Sequence, residues 1–349
     1  MCRRMTTATI VADALDQHAA AVRSEMERLL VGRTVALYDM LRYHLGWVDA
    51  SGNPIVADGG KALRSALCLL AAQAVGGDPG RAMPAAAALE LVHNFSLIHD
   101  DVMDGSPRRR SRPTVWKLWG RAHAITAGDA MFSLAHQAVW SLAGRGATPS
   151  EMASVGCLLD ETCLRLCEGQ YLDVEFEGKL SVSTEAYLIM IQGKTGALMQ
   201  AACQAGALLG RGSQAQVEAF SLVGQRLGEA FQIRDDILGI WGQAETMGKP
   251  VAEDIKSKKQ ALPIALALET ANASQRAELT RVYTQKRVFA RDVATVLTIF
   301  DELQVQTTAQ QIAADAAAAA QRALDTTGLQ NQAIDQIRAL ITFAVERER

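Results

Sequence analysis

Apolar positions along this chain recur at three- and four-residue intervals, and few segments alternate at two for long enough to predict a strand. No proline occurs between Ser150 and Lys249 or between Ile264 and Arg349. Proline breaks helix interiors, so these two stretches, rich in Ala, Leu, Gln and Glu, predict long helices. In the first, Leu158, Cys163, Leu166 and Gln170 keep helical spacing with charges between them. Breakers cluster at Ser51–Pro54, Gly76–Gly80, Gly105–Pro113 and Ala143–Pro149, and segments of helix length lie between them. The pattern predicts an all-α protein of about ten or more helices. No linker is long enough to mark a boundary, so residues 1–349 are expected to form a single domain. The alanine-dense Ala313–Leu324 is expected to be a peripheral helix.

Composition narrows the partners. With 349 residues and 49% hydrophobic positions, the chain can bury a large core and is not intrinsically disordered. Basic and acidic residues nearly balance, 35 against 38, which argues against a nucleic-acid binder held by broad positive charge. The six cysteines are too few and scattered for a disulfide scaffold, which suggests a reducing compartment. Cys163 and Cys167 would share a helical face, but without further thiolate or imidazole ligands nearby they are expected to be packing residues. The first residues hold arginines but no sustained apolar stretch, and no run approaches a membrane span. The expected location is the cytoplasm.

Two aspartate clusters carry the candidate chemistry. In Leu89–Gly105, Asp100, Asp101 and Asp104 close an otherwise apolar helix. Asp100 and Asp104, four apart, point the same way, and His93 falls near that face. Carboxylates this close repel unless a cation lies between them. In Gly228–Gly242, Asp235 and Asp236 again follow an apolar helix. A solvated helix end explains either cluster alone, whereas two flanked by basic loops fit a shared site for a hard cation such as Mg²⁺. Lys61, Arg64, the arginines of Arg108–Trp116, Lys194, Lys249 and Lys256–Lys259 supply phosphate-binding charge. Singly, each is a surface charge; with the aspartates they describe phosphates bound through magnesium. Neither a P-loop nor a GxGxxG is present, so nucleotide binding has no support.

On these residues the chain resembles the trans-isoprenyl diphosphate synthases of the polyprenyl synthetase family. The resemblance runs in order through GGKALR, LIHDDVMD, RRRSRPT, AGDAMF, EGQYLDVEFE, GKTGALM, FQIRDD and GKPVAEDIKSKKQALP. It covers about residues 55–265, with a helical part over 266–349. Two departures stand out. The usual GGKRxRP loses one arginine and its proline, and the second DDxxD ends in Gly239. The resemblance implies a helical bundle around a central apolar cavity, a homodimer, and head-to-tail condensation of isopentenyl diphosphate with an allylic diphosphate.

The resemblance also implies roles. Asp100 and Asp104 would hold two Mg²⁺ and Asp235 a third, with Asp101 and Asp236 supporting. Arg109, Lys194, Lys249 and Lys259 would bind the allylic diphosphate. Lys61, Arg64, His93 and Arg110 would hold isopentenyl diphosphate, and Thr195 and Gln232 would turn oxygen dipoles to the cation. Phe95, five before Asp100, resembles the geranylgeranyl-forming type, with Ser96 and Val92 as further length-setting positions. Farnesyl or longer-chain synthesis, a terpene cyclase and a non-catalytic regulatory subunit are the alternatives. Only 8 Phe, 5 Trp and 5 Tyr are present, few for the aromatic cation cages of a cyclase, and the retained aspartates argue against a silent subunit.

Overall fold

A computed structural model describes residues 7–55, 62–242 and 252–347. Lys61 and Lys249 lie outside the described residues. The chain divides into two compact units. The first comprises Met1–Asp160, Ala201–Glu218 and Leu329–Ile337; the second comprises Glu161–Gln200, Ala219–Gly328 and Arg338–Arg349.

The first unit begins with α1 (Thr7–Leu29), α2 (Leu37–His44) and α3 (Leu63–Ala74). The helix bearing the first aspartates, α4 (Pro79–Met103), starts where Asp78 accepts a hydrogen bond from the Gly80 amide at 2.8 Å, with Pro79 in the first turn. Pro84 also sits inside this helix, although proline otherwise punctuates the chain. Beyond Pro113 come α5 (Val115–Trp119) and α6 (Arg121–Trp140). Helix α4 packs on α6, where Gly128 leaves room for the His99 ring: a Cβ there would lie 2.2 Å from His99 Nε2. Leu67, Leu70, Leu91, Ile98 and Met131 are fully buried in this unit.

Four further helices follow: α7 (Pro149–Phe176), α8 (Thr184–Ile191), α9 (Ala197–Leu209) and α10 (Gln214–Trp241). The remainder is α11 (Glu253–Lys256), α12 (Leu262–Thr270), α13 (Ala273–Thr284), α14 (Ala290–Glu302), α15 (Val305–Asp325) and α16 (Gln332–Glu346). In the second unit, Tyr187, Ile233, Ile237, Ile255, Leu262 and Phe300 belong to one buried cluster. Ala313, Ala316, Ala317, Ala320 and Ala323 of α15 are buried at helical spacing. The alanine-dense segment has one packing face, where small side chains let neighbouring helices come close, and one outer face on which Ala314, Asp315, Ala318 and Arg322 are exposed.

The helical expectation holds throughout the described residues; the only strands are the two-residue pair β1 (Arg108–Arg109) and β2 (Arg112–Pro113). Cys163 is buried and Cys167 exposed, so the two share a helix but not an environment.

Candidate active site

In the first unit, the last turn of α4 separates its three aspartates by direction. The Asp104 amide donates to Asp100 O at 2.8 Å, ending the helix. Asp104 is exposed, Asp100 half-buried and Asp101 buried. Asp101 turns inward, and its two oxygens accept from Arg109 Nε at 3.0 and 3.1 Å. Burial pushes the Asp101 carboxyl up to about 6 against the pull of Arg109, with Asp100 and Asp104 adding repulsion.

Arg109 belongs to a hairpin with register Arg108↔Pro113 and Arg109↔Arg112, which leaves Arg110 and Ser111 as a two-residue turn. Their φ angles are 47° and 62°, the left-handed pair that such a turn demands and that Asn-Gly usually supplies. Arg112 anchors the hairpin by donating to Tyr43 O at 2.9 Å and Val48 O at 2.8 Å while stacking on the Tyr43 ring. The strained turn therefore holds Arg110 in place, a pattern found at functional sites.

Around Arg110 lies a polar cluster that spacing alone did not reveal. Burial and the nearby Arg64, Arg110 and Arg109 hold the His93 ring neutral, far below the usual histidine range. The same causes, burial first and then Arg110, Arg109 and Arg112, push His44 down to about 3. Glu90, beneath them, is raised by burial and opposed by Arg64 and Arg110; it accepts from Ser65 at 3.3 Å and Asn94 at 3.4 Å. His44, Arg109, Arg110 and Arg112 line a small cleft together with Asp101, the partner of Arg109. Its charge suits an anion.

Down α4 from Asp100, Phe95 is buried. Its ring stands edge-on to Phe132 at 5.2 Å and to His99 at 5.7 Å. Phe132 in turn meets His136 at 4.5 Å. Val92 is fully buried, and the Ser96 hydroxyl donates to His93 O at 2.8 Å. Further along, Ala85, Ala88, Leu89, Val139 and Leu159 help line a small apolar gap.

In the second unit, Lys194 and Thr195 sit in a π-helical turn, Gln192–Gly196. Such an extra residue re-aims a helix face and recurs at functional sites. Two glycines permit it: a Cβ on Gly169 would lie 2.2 Å from the Lys194 amide, and one on Gly193 would lie 2.7 Å from Arg165 O. Lys194 Nζ donates to Asp173, and Thr195 Oγ1 donates to Gln232 Oε1 at 2.8 Å.

The paired aspartates of α10 have different surroundings. Asp236 is fully buried, and its oxygens accept from Tyr187 Oη, the Leu262 amide at 3.1 Å, Lys259 Nζ at 3.1 Å and Gln232 Nε2 at 3.4 Å. Its lone pairs are spent on the protein. Asp235 keeps 41% of its side chain exposed and pairs with Arg347 at 2.6 Å. Asp173, Tyr187, Arg347, Glu90 and His44 all join these constellations without having been singled out from sequence, and so does Asp254, 3.7 Å from Lys259 Nζ. Asp173, Glu90 and Asp254 lie inside segments quoted above for other residues; Tyr187, Arg347 and His44 do not.

Among the described residues no three His, Cys, Asp or Glu side chains converge as a ready metal cage. The donor chemistry nonetheless fits Mg²⁺, which takes one or two carboxylates and completes its shell with water and phosphate oxygens. Asp100, Asp104 and Asp235 have the exposure for that, whereas Asp101 and Asp236 are committed to protein partners.

The class these features define is a helical protein with paired carboxylates late in two of its helices and arginines gathered beside the first pair. Residues 46–300 match the polyprenyl synthetase family, and the chain belongs to it. It is 46% identical to a Mycobacterium tuberculosis (2E,6E)-farnesyl diphosphate synthase over 228 residues, 64% of this chain and 61% of that protein. It thus spans less than two thirds of that relative's length. A geranylgeranyl diphosphate synthase of the same organism is 41% identical over 74% of this chain and 72% of its own. The crystal structure of a polyprenyl synthetase from Streptomyces coelicolor superposes with a TM-score of 0.89 at 34% identity, covering 96% of this chain and 99% of the other. The fold is the all-α isoprenoid synthase fold.

Proposed function

We propose that the protein condenses isopentenyl diphosphate with an allylic diphosphate head-to-tail and makes geranylgeranyl diphosphate. The observation that carries this reading is Asp100 and Asp104 on one helix face, followed by a hairpin that holds Arg109 in its first strand and Arg110 in its strained turn. It joins metal-binding oxygens to diphosphate-binding cations within a few residues.

Asp100, Asp104 and Asp235 would hold magnesium ions, three in all, whose charge would stabilise the leaving diphosphate. Arg109, Lys194, Lys249 and Lys259 bind that diphosphate, and Lys61, Arg64, His93 and Arg110 bind isopentenyl diphosphate. The allylic C1–O bond breaks with its electron pair going to the diphosphate. The isopentenyl double bond then forms the new C–C bond, and the resulting tertiary cation loses a C2 proton to the departed diphosphate. Thr195 and Gln232 offer oxygen dipoles to the positive carbon. Neutral His93 donates a hydrogen bond without adding charge, which the surrounding arginines favour.

The buried Phe95–Phe132 pair beneath the aspartates supports a short product. Farnesyl diphosphate is the second reading, favoured by the 46% identity to a farnesyl synthase. Exposed Ile125 and Trp140 on α6 and Leu164 and Tyr171 on α7 support a homodimer. No described helix is long and apolar enough to cross a membrane, and a cytoplasmic location is part of the proposal. Incubation with Mg²⁺, isopentenyl diphosphate and each allylic primer, followed by product chromatography, tests it. C20 product is expected, and C15 supports the second reading. Hydrocarbon formed without isopentenyl diphosphate would make it a cyclase, and no turnover under any condition a silent subunit.

A further inference from the structure

Gly239 lies on α10 four residues after Asp235 and three after Asp236, so it shares their face. Nothing in its backbone calls for glycine, since it sits within a regular helix. Space does. A Cβ at this position would lie 2.2 Å from Asp254 Oδ2 and 2.9 Å from Oδ1. The carboxylate of Asp254 rests against the bare helix at the point where a side chain would otherwise project. It is brought there by α11, whose preceding residue Ala252 turns the chain with φ 56°.

The same carboxylate reaches Lys259. Lys259 Nζ lies 3.1 Å from Asp236 Oδ1 and 3.7 Å from Asp254 Oδ2, and its amide donates to Asp254 O at 2.9 Å. Asp236 is fixed by Tyr187, Leu262 and Gln232, so one hold on the ammonium is rigid. Asp254 supplies the second, and together they restrict a long, rotamer-rich side chain that is 42% exposed. Partial burial works against the ammonium, but the two carboxylates outweigh it and keep Lys259 protonated.

We propose that Asp254 is a positioning residue that aims Lys259 at the bound allylic diphosphate, and that Gly239 is required because any side chain there would displace it. The inference rests on the reading that Lys259 binds that diphosphate, and it gives the departure of the second aspartate motif a purpose. A merely structural Asp254 would move stability and both Michaelis constants together.

The test is a double-mutant cycle on the full chain. Asp254→Asn is expected to raise the KM for the allylic diphosphate about tenfold and leave that for isopentenyl diphosphate unchanged. Calorimetric affinity for inorganic pyrophosphate with Mg²⁺ should fall by a similar factor. In a Lys259→Met background the same change should add less than about twofold. Gly239→Ala should reproduce the Asp254→Asn pattern, with circular dichroism reporting an intact fold. An equal effect of Asp254→Asn with and without Lys259, or an equal rise in both KM values, overturns the proposal. Wild-type protein that turns over no substrate sinks the proposed function instead, while the pyrophosphate cycle still decides whether residues 254 and 259 are coupled. Wild-type protein that binds no pyrophosphate overturns both.

Discussion

Arg347 lays its guanidinium on Asp235, the aspartate of α10 best exposed to hold a cation. Nη2 donates to Asp235 Oδ1 at 2.6 Å and to Phe231 O at 2.9 Å, and the guanidinium stacks on the Phe231 ring at 3.7 Å. The Arg347 carbonyl accepts from Arg234 Nε at 2.9 Å and Nη2 at 2.7 Å. A magnesium ion at Asp235 would have to compete with this guanidinium for the same carboxylate. Arg347→Ala is therefore expected to lower the magnesium concentration for half-maximal turnover several-fold. A titration that superimposes on wild type would show that the two cations do not compete.

Asp100 and Asp104 share a face at the end of α4, the first half-buried and the second exposed. Asp100→Ala should reduce turnover by about three orders of magnitude or more, since a lost metal-held charge removes several kcal/mol of transition-state stabilisation. Its circular dichroism should match wild type. Retained activity would remove Asp100 from the site.

Phe95→Ala opens space beneath the aspartates by deleting a ring buried against Phe132. Product chromatography should show longer chains, and thermal denaturation a loss of about 3 kcal/mol, the low end for a buried Phe→Ala change. A variant with lost stability and unchanged product length would place the stop elsewhere.

Gly193→Ala drives a Cβ to 2.7 Å from Arg165 O, a backbone atom that cannot rotate aside. The π turn must then shift, taking Lys194 from Asp173. A lower melting temperature together with a raised allylic KM is expected. A drop in melting temperature alone would mean that Lys194 tolerates the movement.

Asp292 accepts from the Phe289 amide at 2.9 Å and from Arg281 at 3.0 Å. The amide bond above all, then Gln285 and Arg281, lowers its carboxyl to about 2. A depressed folded value means stability that is present above the ordinary carboxylate value, 3.8, and lost as pH falls toward about 2. Melts of wild type and Asp292→Asn should differ most at neutral pH and converge near pH 2; a constant gap would rule this source of acid sensitivity out.

Much of the site was legible because it is local. Asp100 and Asp104 follow from helix periodicity, and Lys194 and Thr195 from a short motif. What spacing could not separate was Asp235 from Asp236. They are adjacent and chemically identical, and only the surroundings that bury one against Tyr187 and Leu262 distinguish them. His44 and Glu90 escaped notice for the same reason: their roles depend on arginines brought near by folding. The left-handed Arg110–Ser111 turn was hidden because neither residue type advertises that conformation. Helix propensity predicted that α15 is a helix but says nothing about which of its alanines pack inward.

The π turn at Gln192–Gly196 also constrains how this chain can change. Five residues of π helix sweep nearly the same angle as four of α-helix, so removing one residue there would restore a regular helix and leave α9 on its present face. Met199, Ala202 and Cys203, all now inside, would stay inside. What would go is the widened turn that carries Lys194 and Thr195, so a shortened chain should keep its core and lose the placement of those two side chains.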